Sequence, residues 1–316
     1  MVKQTEGFTA KIPGAGTEQA IYYTLFQPDG KPAKATILIL HGMQEHSGRY
    51  AEFARFLAEN GYAVLTYDHA GHGKTAASKA HHGYFHPDRA AKRVVDDAEK
   101  MADLLEKDFP EIPHFVLGHS MGSFITRCLL QQAHHRFNGA VITGTGGKQA
   151  IAPIAKFVFS IMNKLASQKR SIGLNRFFNN LNNKRFKGDP DASETSWLSV
   201  NQENRTAFVK DALCGIPFTN NGFHTLLTLN IQSTKTNWAN NIRKDLPFLF
   251  VSGAEDPIGD FGKGVTQTVN HMKQDGFSDV NLILYPGMRH EILNENVKQE
   301  VFVEIQNWLD QHHSGN

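Results

Sequence analysis

Cysteine is nearly absent: Cys128 and Cys214 are the only two in 316 residues. Two thiols so far apart in sequence make no disulfide framework or Cys-rich zinc module, and they fit a reducing compartment. A bias of charge is also lacking, because 33 basic and 31 acidic residues leave a formal net charge of +2, and no nucleic-acid partner is expected. No apolar run reaches the roughly 18 residues that would span a bilayer. Met1 to Gly7 has no apolar core of the kind a secretory signal needs, so the expected location is the cytoplasm. Repeats and low-complexity tracts are missing, and only His312 to Asn316 reads as a disordered tail.

Cofactor and metal signatures are incomplete as well. Gly71-His72-Gly73-Lys74-Thr75 ends like a P-loop, but Asp68 stands where that loop requires its first glycine. Gly144-Thr145-Gly146-Gly147 misses the G-x-G-x-x-G spacing of a dinucleotide site. His69, His72, His81, His82 and His86 have neither an H-E-x-x-H helix nor cysteines beside them, and they read as surface loop histidines. Neither a cofactor nor a metal is expected.

What is present is an alternation of short apolar runs with helical patterns. Strands are expected at Ala20 to Phe26, Ala35 to Leu40, Tyr62 to Asp68, His114 to Gly118, Ala140 to Gly144, Pro247 to Gly253 and Val280 to Tyr285. Helices are expected near Arg49 to Asn60, Arg89 to Lys107, behind Ser120, near Gly262 to Gln274 and over Val297 to Gln311. Continuous apolar strands separated by helices imply an α/β fold, with a mostly parallel central sheet covered by helices on both faces. The alternation pauses between Lys148 and Asn241, where an apolar, basic helix (Ile151 to Ser167) precedes Asn-rich loops. Residues 148–241 are therefore expected to form an inserted helical cap, or lid, over a core made of 1–147 and 242–316. From Lys148 to Pro190 nine basic residues face one acid, Asp189. This local excess suits an anionic surface.

The apolar run Phe115-Val116-Leu117 leads into Gly118-His119-Ser120-Met121-Gly122 and then an amphipathic stretch. A G-x-S-x-G between strand and helix is a nucleophile elbow: the serine sits in a strained turn, and the flanking glycines let strand and helix approach. Such an elbow resembles that of the α/β-hydrolases, in which an acid and then a histidine follow the serine. Beyond the pause, His271 falls in a helix pattern and His312 and His313 in the tail. His290 follows Val280 to Tyr285 through a Pro-Gly turn and is the expected base. Asp256 follows Pro247 to Gly253 immediately before Pro257 and is the expected acid, with Glu255 its close competitor. The oxyanion donors are expected to be the backbone N–H groups of Met121 and of Met43, beyond the strand ending at Leu40.

Longer motifs add specificity. His41-Gly42-Met43-Gln44-Glu45-His46-Ser47-Gly48-Arg49-Tyr50 resembles the H-G-x-x-E-H-S-x-R-Y signature of the monoacylglycerol lipase and lysophospholipase branch of that superfamily. Asp68 to Gly73 is similar to its D-x-x-G-H-G loop, Gly287 to Glu291 to its G-x-x-H-E segment, and Pro217-Phe218-Thr219 to cap residues of bacterial members. The resemblance implies an α/β-hydrolase fold, a Ser120, Asp256 and His290 triad, Met43 and Met121 as oxyanion donors, and single-acyl lipid esters as substrates. Gln44 departs from the small residue usual there. His41, Gly42, Gln44, His119, Ile151, Phe159 and Phe218 are the expected substrate contacts. A basic, apolar cap helix also suits contact with a membrane surface. A general carboxylesterase, or a peptidase or acyltransferase with the same triad, would share these motifs. A hydrolase-fold binding protein would be expected to lose a triad member, and none is lost.

Overall fold

The computed structural model describes residues 1–9 and 20–313. Eight strands form one sheet in the order β1-β2-β4-β3-β5-β6-β7-β8. They are β1 (Val2–Phe8), β2 (Tyr22–Pro28), β3 (Ala35–Leu40), β4 (Tyr62–Tyr67), β5 (His114–His119), β6 (Gly139–Thr143), β7 (Phe248–Gly253) and β8 (Val280–Tyr285). The pairings of β1 with β2 and of β2 with β4 are antiparallel, and the other five are parallel. Apart from His114 at the start of β5, the central strands β3 to β7 are buried along their length, which is why they read as mostly apolar runs.

Alternate residues of the central strands feed two separate cores. Leu38, Leu40 and Val116 point into one with α2 (Ala90–Asp108), α3 (Met121–Ala133) and α8 (Lys263–Gln274). Ile37, Ile39, Phe115 and Leu117 point into the other with α1 (Ala51–Glu59) and α9 (Lys298–His312). Between β6 and β7 the chain runs through α4 (Ala152–Ala166), α5 (Ile172–Asn182), α6 (Gln202–Lys210) and α7 (Asn220–Thr234). Of these, α7 packs against both α3 and α4.

Three expectations need correction. The edge strand β1 was not foreseen; its pattern is polar and exposed, so it carries no apolar signal. The Asn-rich stretch is helical over α5, where Asn175 is held by bonds to Ser171 O and Phe218 O that offset its poor helix propensity. The tail is ordered through His312, which closes α9 and bonds Asp279 at 2.8 Å; residues 314–316 lie outside the described part. Both thiols are buried and unpaired, and burial pushes that of Cys128 up to about 12.

Candidate active site

Three loops at the carboxyl ends of β5, β7 and β8 meet over the sheet. Ser120 turns β5 into α3 with φ 53° and ψ −119°, the strained backbone an elbow demands. Its neighbours must be glycine: a Cβ on Gly118 would lie 2.4 Å from Gly122 O, and one on Gly122 would lie 2.1 Å from Leu40 O. His290 Nε2 is 2.9 Å from Ser120 Oγ, and His290 Nδ1 is 3.0 Å from Asp256 Oδ2. The other Asp256 oxygen accepts from Ile258 N at 2.8 Å, fixing the carboxylate. Glu255 instead faces Arg185 at 3.5 Å, away from this chain of contacts.

The histidine is held on both sides. Its ring lies 5.0 Å from that of Trp197 and 4.8 Å from that of His119, centroid to centroid. Its loop is pinned by Glu291 N donating to Leu198 O at 2.8 Å and Arg289 N to the buried Glu295 carboxylate at 2.9 Å. Burial alone would depress the His290 pKa, but the Asp256 carboxylate, with Glu291 and Glu45 adding to it, outweighs burial and leaves the imidazole above its ordinary 6.5.

The loop after β3 closes the other side. Gly42 N donates to Glu45 Oε1 at 2.6 Å and Gln44 N to His72 Nε2 at 3.4 Å, so the amides flanking Met43 are both engaged. As the first residue of α3, Met121 has no intrahelical acceptor for its N–H. Arg49 links this loop to that of His290: it bonds Glu45 at 2.8 Å, both oxygens of Glu291 at 2.6 and 2.7 Å, and Asn204 of α6 at 2.8 Å.

Gly42, Met43, Gln44, His119, Ser120 and His290 line a single cleft of about 460 Å³, counting its open mouth. Trp197, Leu198 and Phe208 complete its apolar wall, and Asn179, Glu194 and Thr195 add polar atoms. The sequence reading named none of these six, because they lie between β6 and β7 without a recognisable motif. The other expected contacts lie elsewhere. His41 is buried, its ring 4.1 Å from that of His69 and tilted 45° to it; Ile151 is exposed; Phe159 packs on Phe223 at 5.0 Å; and Phe218 packs on Phe85 and His72. The face of α4 expected to border the cleft is divided between the core and solvent.

The histidines after β4 are not surface groups, apart from His81. His69, His72, His82 and His86 are buried, because Asp68 folds their loop inward by accepting from Ser47 N, Ser47 Oγ and Lys74 N. Burial holds His72 down to about 4, and burial together with His72 holds His69 down to about 3. In the unfolded chain both bind a proton near pH 6.5. The stability linked to keeping them neutral is therefore complete above that pH and is lost as pH falls toward 4. Each pH unit below 6.5 removes about 1.4 kcal/mol per histidine, or roughly 4 kcal/mol for the pair by pH 5. The urea midpoint is expected to fall steadily from pH 7 to pH 5; a flat profile would contradict two buried neutral imidazoles.

Comparison with known proteins agrees with this architecture. Residues 31–297 match the family described as Hydrolase_4: Serine aminopeptidase, S33. The chain is 25% identical to the monoacylglycerol lipase of Mycolicibacterium smegmatis, covering 92% of this chain and 93% of that one. It is 27% identical to human monoglyceride lipase, covering 93% and 88%. Among solved structures, a thermostable carboxyl esterase from Bacillus coagulans superposes with TM-score 0.89 at 24% identity, over 98% of both chains. A lipase in an open form superposes with TM-score 0.88 at 26% identity, over 99% of this chain and 100% of that one. With the fold, the elbow and a match over most of its length in agreement, the chain belongs to the serine aminopeptidase S33 family of α/β-hydrolases, on its monoacylglycerol lipase-like branch.

Proposed function

We propose that the protein is a serine hydrolase of carboxylic esters, acting on lipids with a single acyl chain such as monoacylglycerols or lysophospholipids. The observation that carries this reading is the continuous contact from Ser120 Oγ through His290 to Asp256 at the floor of a cleft with an apolar wall. Neutral His290 takes the Ser120 proton on Nε2 as Oγ attacks the ester carbonyl, while Asp256 holds the Nδ1–H tautomer and stabilises the imidazolium. The N–H groups of Met43 and Met121 receive the oxyanion. Collapse of the tetrahedral species passes the proton from His290 to the departing alcohol and leaves an acyl group on Ser120. Water, activated by the same histidine, then releases the fatty acid. No step calls on a metal or cofactor.

Residues 148–241 act in this reading as the cap that chooses the ester. Trp197, Leu198 and Phe208 come from it and face Ser120 across the cleft. Its outer surface suits a lipid interface: Ile151, Ile154, Val158, Ile161 and Leu165 form an exposed stripe along α4, Ile172, Phe177 and Leu181 are exposed on α5, and α4 itself also carries Lys156 and Lys164. An apolar face bordered by cations lies in the plane of an anionic bilayer surface.

Fatty-acid release from dispersed monoacylglycerols and lysophospholipids of graded chain length, set against soluble p-nitrophenyl esters, tests both parts. Hydrolysis confined to amides would sink the ester reading. Leu165→Asp, at a position 82% exposed, is expected to lower sedimentation with anionic vesicles and turnover of dispersed lipid by about tenfold. That is the scale of burying one leucine, and the soluble ester should be unaffected. Equal loss on both substrates would remove the interface role.

A further inference from the structure

Arg127, on α3 about two turns beyond Ser120, is 1% exposed, yet among the described residues no carboxylate forms an ion pair with it. Its Nη1 donates to Gly146 O at 3.1 Å and Thr145 Oγ1 at 3.4 Å, and its guanidinium carbon lies 4.3 Å from the Trp238 ring centroid. Its Nε has no partner. A buried cation without a counter-charge is expensive, and pairing or loss of the proton is the usual remedy. Burial does drive this group down to about 9.

The missing charge has a place to sit. Arg127 and Trp238 form part of the wall of a second cavity, separate from the Ser120 cleft. Lys148 and Lys235 stand at its rim, Thr236 and Gln267 supply a hydroxyl and an amide, and His271 and Asp275 close the α8 side; the Thr234 and Thr268 hydroxyls also lining it already donate to Asn230 O and Gly264 O. Asp275 is the one acid among the lining residues and is exposed. Two ammonium groups, a guanidinium and the Thr236 and Gln267 side chains around one small cavity match the needs of a phosphate-type oxyanion.

We propose that this cavity binds a phosphate group, either as the free ion or as a phosphate monoester, which neutralises Arg127. The site adjoins the elbow through a short path. Arg127 bonds Thr145 Oγ1, which accepts from Ser123 Oγ at 2.8 Å, and Ser123 Oγ also approaches Ser120 O at 2.5 Å. The same arginine holds Gly146, where the chain leaves β6 for α4. Gly146 and Gly147 run so close to Ile258 O and Gly264 O that a Cβ on either would lie within 3.0 Å of those carbonyls. An anion here bears on the backbone of the nucleophile loop and on the first residues of the segment over the cleft.

The test uses the full chain and reads binding, not turnover, so its failure leaves the Ser120 assignment untouched. Melting temperature is followed against inorganic phosphate and, separately, glycerol 3-phosphate, each at ionic strength matched with potassium chloride. Vesicles with phosphatidate headgroups form a third arm. A saturable rise is expected with at least one ligand, and the arm with the lowest half-saturation identifies the source. Lys148→Gln with Lys235→Gln, both at exposed positions, is expected to weaken half-saturation about tenfold, the scale of two partly screened charge contacts. Arg127→Met is expected to abolish the response if it folds. No saturable rise above the chloride control in any arm, or an identical response in the double lysine variant, would overturn the proposal.

Discussion

Ser120→Ala is expected to lower kcat by about 10⁶ and Asp256→Asn by about 10⁴, with Glu255→Gln close to the parent enzyme, the pattern of a serine triad whose members act as a unit. The asymmetry between the two acids follows from geometry. Asp256 lies 3.0 Å from His290 Nδ1 with its second oxygen fixed by Ile258 N, whereas Glu255 is turned toward Arg185. The pH profile gives a second reading of the same unit. In the proposed mechanism His290 must be neutral to accept the serine proton, and Asp256, with Glu291 and Glu45, holds its pKa above 6.5. The acid limb of kcat/KM is therefore expected above pH 6.5, with activity falling as pH drops through it. Burial alone depresses the imidazole, so Asp256→Asn should move the limb to lower pH as well as reduce the rate. Steady-state kinetics on a soluble ester checks both. Comparable losses from Glu255→Gln and Asp256→Asn would reassign the acid.

Arg49→Met is expected to be nearly as damaging for a different reason. Arg49 is a buried cation between Glu45 and Glu291. Burial opposes its charge, and the two carboxylates more than restore it. Its removal leaves two buried carboxylates uncompensated, at a cost of about 3–5 kcal/mol and a fall in melting temperature of roughly 6 °C or more. Both ends of the break touch the catalytic groups. Glu45 holds the Gly42 amide beside Met43, the proposed oxyanion donor, and Glu291 is the neighbour of His290. Arg49 therefore acts as a positioning residue, and its loss should appear in kcat more than in KM. Adding Glu291→Gln to Arg49→Met removes one stranded charge and is expected to restore part of the stability but little of the rate. A double variant no more stable than the single one would argue against charge stranding as the cause.

Most of the scaffold was legible because its physics is local. Strands β3 to β7 are buried on both faces, so their sequences are mostly apolar, and the elbow carries its own steric requirement at Gly118 and Gly122. The less legible parts depend on contacts distant in sequence. β1 exists because β2 offers a pairing edge, not because Val2–Phe8 is apolar. α5 persists although asparagine is a poor helix former, with Asn175 bonded to Gln44 and Phe218. The loop histidines are inside because Asp68 gathers their loop around its carboxylate. Glu45, Arg49 and Glu291 lay in plain view within the motifs, but nothing in the sequence shows that Arg49 joins the two motifs to each other. The cleft wall from Trp197 to Phe208 left no trace at all, since it is built by a segment without periodic strands.

The parallel order of the sheet also governs when activity can arise. Ser120 and His290 are 170 positions apart in sequence, and β6 finds its partner β7 only across the four intervening helices. Pairings over such distances form late, because the entropy of closing a long loop must be met before the strands reward it. During synthesis the elbow and its glycines emerge well before β7 and β8, which position the acid and the base. A chain that still lacks β8 holds a strained serine with no base to activate it. Under the proposed mechanism, hydrolytic capacity appears only once the last strand has docked, so recovery of esterase activity during refolding is expected to report the final assembly step and not the collapse that precedes it.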